Sequence, residues 1–350
     1  MSKPAKTRDY LFDNYKAMLI ILVIIGHFIQ PCYENNALLY TIKYFIYAFH
    51  MPAFILISGY FSKKDAPWQK AFQKVLVPYL AFEGIYYLYY NYVLGLNASF
   101  DLEKPKFSLW YLLALFVWKV VTPYVKKIPH YFSLSIVMGL LIGLLPSGGT
   151  LFSISRIFVF YPYFLAGTLF DRTKLTEMRT RPYRIASFAG IAFFALFLAT
   201  LAEPLGLKLK YFYGKTGYAQ MGQGMVDGIL VRLLCYGIGF FLTYAFAILM
   251  TEKQTTFSKL GGATMAVYLF HGLFFKFLEH RTDALELINT IPETLFLLAF
   301  CVGLAFAFSC KPFCTFVNSF ANLSLTKIGE YAERASYQYN NKFMLSPLEA

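Results

Sequence analysis

The sequence predicts an all-α, polytopic integral membrane protein of about ten transmembrane helices, with both termini cytoplasmic. Three observations carry that prediction. Of the 350 residues, 58% are hydrophobic and 15% charged, whereas a soluble domain carries roughly a quarter charged residues. The apolar residues come in long runs, not in half-buried periodic stripes. The basic residues fall mostly in alternate short connections, as the positive-inside rule requires. The 38 Phe and 28 Tyr suit lipid-facing and interfacial surface.

A span needs about 20 mostly apolar residues. The runs that meet or approach this are 16–32, 38–61, 72–95, 107–125, 132–146, 153–170, 185–202, 229–250, 264–279 and 292–310. Orientation follows from the connections. Lys3, Lys6 and Arg8 precede the first run, and Lys63, Lys64, Lys70 and Lys74 follow the second. Lys126 and Lys127 follow the fourth, and Arg172, Lys174, Arg179, Arg181 and Arg184 the sixth. Lys253 and Lys259 follow the eighth, and Lys311, Lys327, Arg334 and Lys342 the tenth. The opposite connections hold Lys104, Lys106, Lys208, Lys210, Lys215 and Arg281. The chain therefore divides into a cytoplasmic segment 1–15, a membrane domain 16–310 and a cytoplasmic tail 311–350.

The first fifteen residues are polar and basic, and no small-residue cleavage site follows the first run, so a retained first helix is expected. The net charge of +13 is spread over connections and not gathered into a patch, which argues against nucleic acid as a partner. The five cysteines show no CxxC pair and no zinc spacing, and read as small apolar residues. The longest outer connection, 203–228, is rich in Gly and Tyr, suited to stacking on a sugar ring.

An ionisable group inside a span is costly and marks a functional site by default. The candidates are Asp13, Lys16, His27, His50, Arg156, Arg232 and His271. Lys16 and His27 are eleven residues apart, about 20° past three full turns, so they share a helix face roughly 16 Å apart along it. Asp13 stands three before Lys16, where it can pair with the lysine. His50 precedes Pro52, which kinks or interrupts the second span, so His50 is expected to face a cavity. Arg156 offers a planar fork for phosphate or carboxylate, and Arg232 has the same capacity. His27, His50 and His271 all fall near the middle of their runs. No carboxylate or thiolate accompanies them there, so no metal is expected. Trp110 and Tyr111 read as an interfacial anchor.

At these residues the chain resembles the acyltransferase-3 family of membrane O-acyltransferases, especially its fucose-4-O-acetylase-like branch. Asp13 followed by Lys16-x10-His27 is similar to the family's opening motif. The run FHMPAFILISGYF (Phe49 to Phe61), LWYLLAL, Arg156 followed by YPYFLAG, and the late VYLFHG are similar to family segments in the same order. The resemblance spans roughly residues 8–310. It implies transfer of an acyl group, commonly acetyl from acetyl-CoA, to an extracytoplasmic or lipid-linked saccharide. It implies further that His27 is essential; as base or acyl carrier His27 would share the catalysis with Asp13, which holds Lys16, and with His50. Acyl-CoA would bind on the cytoplasmic side and the saccharide on the outer side, with Lys16, Arg156, Arg232 and His271 contacting substrates. The setting implied is a multi-pass protein of a bacterial plasma membrane. The last forty residues are too few for a fused SGNH esterase-like domain.

Two other classes fit parts of the pattern. A transporter or flippase of a polyprenyl-linked glycan would also use polar residues within spans and a broken helix, although no inverted repeat is visible. A scaffold would leave the intramembrane charges as unexplained cost.

Overall fold

The computed structural model describes residues 8–145 and 151–323. Lys3, Lys6, Lys327, Arg334, Lys342 and the end of the predicted fifth run lie outside them. The described residues are helical, with no strand among them. The principal helices are α1 (Tyr10–Phe28), α2 (Ala37–Tyr60), α3 (Val77–Leu88), α4 (Trp110–Val125), α5 (Tyr131–Leu141), α6 (Ile154–Leu169), α7 (Arg181–Thr200), α8 (Met225–Leu249), α9 (Thr264–Arg281), α10 (Ile291–Phe308) and α11 (Lys311–Ala321). Among the described residues six helical segments are long and apolar enough to cross a membrane, as expected of a multi-pass protein. α4 and the helix that begins with α5 and runs to Leu144 are apolar but shorter. α3 is extended at both ends by π-helical turns, Phe72–Leu76 and Tyr89–Val93.

α1 is the centre of the bundle. Leu11, Phe12, Ala17, Leu19, Ile24 and Phe28 are all fully buried. It begins at Tyr10, six residues before the predicted run, because its polar residues are satisfied by neighbouring segments. Asn14 donates to the carbonyls of Thr251 (3.0 Å) and Lys253 (2.9 Å) and accepts from the hydroxyls of Ser258 (2.6 Å) and Thr255 (2.7 Å). Asp13 pairs with Arg8 and Lys16. The turn 258–261 lies so close that a Cβ at Gly261 would strike the backbone of Asp13. His27 consequently sits in the last turn of α1, not at its middle.

α2 crosses α6 at paired glycines. A Cβ at Gly59 would run into the carbonyl of Phe164, and one at Gly167 into that of Leu56, so the two backbones touch. α2 also continues through Pro52 without a break. The lost N–H removes one helical bond, and packing against its neighbours holds the rest; the site opposite the proline ring is Gly239 of α8. α7 and α10 lie at the periphery, where Phe188, Phe193, Leu196, Leu295 and Phe296 are exposed, as lipid-facing positions are. Asn36 caps α2 by accepting from Leu39 N at 2.9 Å, and Thr290 with Glu293 forms a capping box at α10.

Candidate functional site

The polar residues on the bundle's interior fall into three groups, at two ends and in between. At one end lies an open cavity of about 1560 Å³. Arg8, Lys16, Lys63, Lys64, Lys119 and Arg172 are among the cations on its wall, against Asp9, Asp13, Asp65 and Glu252. These residues come from the N-terminal segment, the 61–74 connection, α4 and the connections after α6 and α8. Segments from before α1, after α2, after α6 and after α8 thus meet at this end of the bundle. Lys16 is held by Asp13 at 3.0 Å and lies 5.2 Å from the centre of the Phe61 ring. Lys119 donates to the Ser62 hydroxyl at 2.6 Å.

A second, narrower cavity of about 220 Å³ shares Lys16, Phe61 and Lys119 with the first. It runs beside α1 past Ile20 and Val23 and is otherwise mostly apolar, with Met51, Phe54, Tyr111 and Tyr268 on its far wall. Val23 stands one turn before His27. Trp110 and Tyr111 are thus not an interfacial anchor: Trp110 is buried and Tyr111 shares a hydrogen bond with Ser58 at 2.6 Å. Both begin α4 and face the bundle.

His27 lies beyond the channel. Its ring is 4.5 Å from that of Phe107, 5.3 Å from that of His271 and 6.1 Å from that of Phe275, centroid to centroid. Among the described residues neither of its ring nitrogens is hydrogen-bonded, and its side chain is only partly buried. His271 is fully buried. Its Nδ1 lies 3.1 Å from the Val267 carbonyl, which can only accept, so Nδ1 carries the proton and Nε2 is left with its lone pair. That Nε2 has no hydrogen-bond partner. His50 is within electrostatic range of His27, but its Nδ1 is occupied by the Ile46 carbonyl at 2.6 Å. The structure does not bring Asp13 to His27: fourteen residues of helix separate them, roughly 21 Å of rise.

The remaining group gathers toward the opposite end. Arg156 lies over the Trp110 ring at 4.7 Å and within electrostatic range of Tyr47, Tyr213 and Tyr268. Among the described residues it has no ion-pair or hydrogen-bond partner. Tyr213 belongs to the long connection, whose ring contacts Tyr47 at 5.2 Å, and Ser155 fixes that loop by donating to the Gly214 carbonyl at 2.8 Å. Arg232 is spent on the same loop. It donates to the carbonyls of Gly139 (3.1 Å) and Thr216 (3.2 Å) and stacks on Tyr218 at 4.6 Å, which makes it a clamp and not an open binding group.

Two ionisable residues passed over in the sequence also lie here. Lys43 is fully buried and donates to the Gly26 carbonyl at 2.5 Å, beside His27, with the Tyr47 ring 4.3 Å away. Glu83 is fully buried on α3. Both obey the rule that flagged the other seven. Lys43 stands near the start of its run and Glu83 among tyrosines. No group of three or more His, Cys, Asp or Glu placed to hold a metal occurs among the described residues.

Helices long and apolar enough to cross a membrane, packed around a basic cavity at one end, define a multi-pass helical membrane protein. Residues 9–310 match the model of the acyltransferase domain, and the chain belongs to the acyltransferase-3 family. Two curated relatives match over a short stretch. A nodulation protein NolL of Sinorhizobium fredii is 48% identical over 62 residues, and one of Mesorhizobium japonicum is 50% identical over 66. These stretches cover 17% of this chain and 17% and 18% of the relatives. No solved structure matches.

Proposed function

We propose that this acyltransferase takes an acyl group, acetyl in the simplest case, from acyl-CoA at the basic end and delivers it to a saccharide hydroxyl reaching His27 from the opposite end. The fucose-4-O-acetylase-like branch is the closest fit to the motifs. About ten spans, cytoplasmic termini and a bacterial plasma membrane complete this reading.

The observation that carries it is the junction of the two cavities. A basic chamber suits the phosphates of CoA, and the apolar channel suits its uncharged pantetheine arm. Lys16 to His27 is roughly 16 Å along the axis, comparable to that arm extended. The thioester is already activated, so the protein has to position it and move a proton. The acceptor oxygen adds to the thioester carbonyl while a ring nitrogen of His27 takes the hydroxyl proton. The C–S bond then breaks, and the proton passes to the leaving thiolate. Such general-base help contributes roughly 10²–10⁴-fold. His27 acylated in a first step, with the acyl group passed on in a second, uses the same geometry.

In this scheme His271 accepts from His27 and orients it, taking the part of a triad's third member and not of a substrate contact. Lys16 and Lys119 form the collar through which the donor arm passes. Arg156 faces the acceptor or the charge that develops on the carbonyl oxygen, and His50 is a structural neighbour.

The test is acetyl-CoA turnover by purified protein, read as released thiol, with a mixture of saccharides supplied. Wild type should release thiol and His27→Ala should not. Equal release from both would remove His27 from the chemistry, and failure of acetyl-CoA to bind would remove the donor.

A further inference from the structure

Phe107 belongs to the connection that enters α4, and it reaches deep enough to lie against His27. Its backbone has φ +48°, a left-handed conformation that bulky side chains adopt only where surrounding structure enforces it. The enforcement is visible on both flanks. The Lys106 N–H donates to Glu83 Oε1 at 2.9 Å, and the Lys106 ammonium lies 3.6 Å from Glu83 Oε2. Glu83 is fully buried and Lys106 nearly so. On the other side, the Tyr268 hydroxyl of α9 donates to the Ser108 carbonyl. The ring itself occupies a notch at Gly272: a Cβ there would strike Phe107 and the Tyr86 hydroxyl. Phe107 thereby lies 4.5 Å from the His27 ring, 5.5 Å from the His271 ring, and stacked on Phe275 at 5.6 Å.

A buried ion pair and a strained residue cost stability, and neither is needed to close an apolar bundle. What they secure is one aromatic ring on one imidazole. We infer that Phe107, set by Glu83–Lys106 and by the notch at Gly272, is a positioning residue that keeps water from the acyl group at His27, so that transfer prevails over hydrolysis. The inference rests on the acyltransferase reading above.

The two outcomes differ only in the nucleophile. In both, an oxygen adds to the thioester carbonyl, a C–O bond forms, the C–S bond breaks, and CoA leaves as the thiol with the proton that His27 removed. With a saccharide hydroxyl the product is an ester. With water it is the free acid, which releases its own proton to solvent. A closed aromatic wall disfavours the small nucleophile that arrives from any direction.

The experiment uses the whole chain in detergent, acetyl-CoA as probe and no saccharide, so thiol release reports hydrolysis. Phe107→Ala should hydrolyse faster than wild type by a factor on the order of ten, and Phe107→Leu should stay near wild type. Gly272→Ala, which displaces the ring from the other side, should also raise the rate. Adding His27→Ala to Phe107→Ala should abolish the increase. A Phe107→Ala protein that elutes as a folded monodisperse species and hydrolyses at the wild-type rate overturns the inference, as does an increase that survives His27→Ala. Thermal stabilisation by acetyl-CoA separates the two levels. If it occurs in both proteins while hydrolysis is equal, Phe107 alone is misassigned. If wild type is not stabilised at all, the donor reading fails, and this inference with it.

Discussion

The imidazole of His271 stands 5.3 Å from that of His27, centroid to centroid, with a buried Nε2 that no other described group satisfies. A buried acceptor left open costs about 1–3 kcal/mol. An N–H donated by His27 removes that cost whenever the His27 ring turns its nitrogen toward it. The relation assigns different variants different signatures. His27→Ala should abolish thiol release. His271→Ala should lower kcat by roughly 10- to 100-fold, the range of lost positioning around one acid–base group, with the KM for acetyl-CoA unchanged. His271→Gln, which restores an acceptor, should recover part of the loss. Steady-state kinetics on the three proteins decide the matter, and a change confined to KM would return His271 to substrate binding.

Lys16 and Lys119 flank the passage between the two cavities. Replacing either by Ala should weaken acetyl-CoA binding by roughly tenfold, equivalent to about 1.4 kcal/mol, and leave kcat nearly intact. Lys16→Arg should keep most of the affinity, because it keeps both the charge and the pairing with Asp13. Binding should weaken further with added salt, since the chamber is open to solvent. Titration by calorimetry at two salt concentrations measures both effects.

Helix existence was legible in this sequence, and helix edges were not. A long apolar run has one reading in a chain this poor in charge, so the predicted runs coincide with real helices. Charged residues were read as the limits of runs, which fails where another segment satisfies them. Asp13 and Asn14 therefore lie inside α1 and not before it, and His27 moves from mid-run to the last turn. Lys43 and Glu83 lie inside predicted runs, 38–61 and 72–95, and their burial comes from tertiary packing. Period alone placed Lys16 and His27 on one face, but nothing local could pair His27 with His271, 244 residues away, or bring Phe107 onto both. Those contacts depend on tertiary packing, and the signal available for Phe107 was only its place before α4. Arg232 shows the reverse error: a buried arginine looked like a binding group, and it ties down a loop.

The α2–α6 crossing leaves no space for a methyl group at Gly59 or Gly167, since each position faces backbone and not a flexible side chain. Gly167→Ala should therefore force the helices apart, at a cost of about 3 kcal/mol, the upper range for overpacking. Thermal unfolding in detergent should show a lowered midpoint. Gly237→Ala is the control, because a Cβ there meets nothing within 4 Å, and it should leave the midpoint unchanged or slightly raised.

Outside the spans, Glu252 ties the connection after α8 to that after α6. It accepts from Arg172 at 2.6 Å and lies 3.7 Å from Arg179, while Arg172 also reaches Asp9 at 3.5 Å. The hydrogen bond from Arg172 holds the Glu252 carboxyl below its usual range. A carboxyl whose pKa is lowered on folding contributes stability that is fully present above its unfolded value and is lost as pH falls through the folded one. The contribution should therefore be constant through neutral pH and fade only below about 4.5. Because Glu252 is nearly half exposed, solvent screening limits the pair to a few tenths of a kcal/mol. Glu252→Gln should then lower the unfolding midpoint slightly at pH 7, and the difference from wild type should shrink once the pH falls below the usual carboxylate range. A difference that grew on acidification would mean that Glu252 is held in its protonated form, and would reverse the sign of the interaction with Arg172.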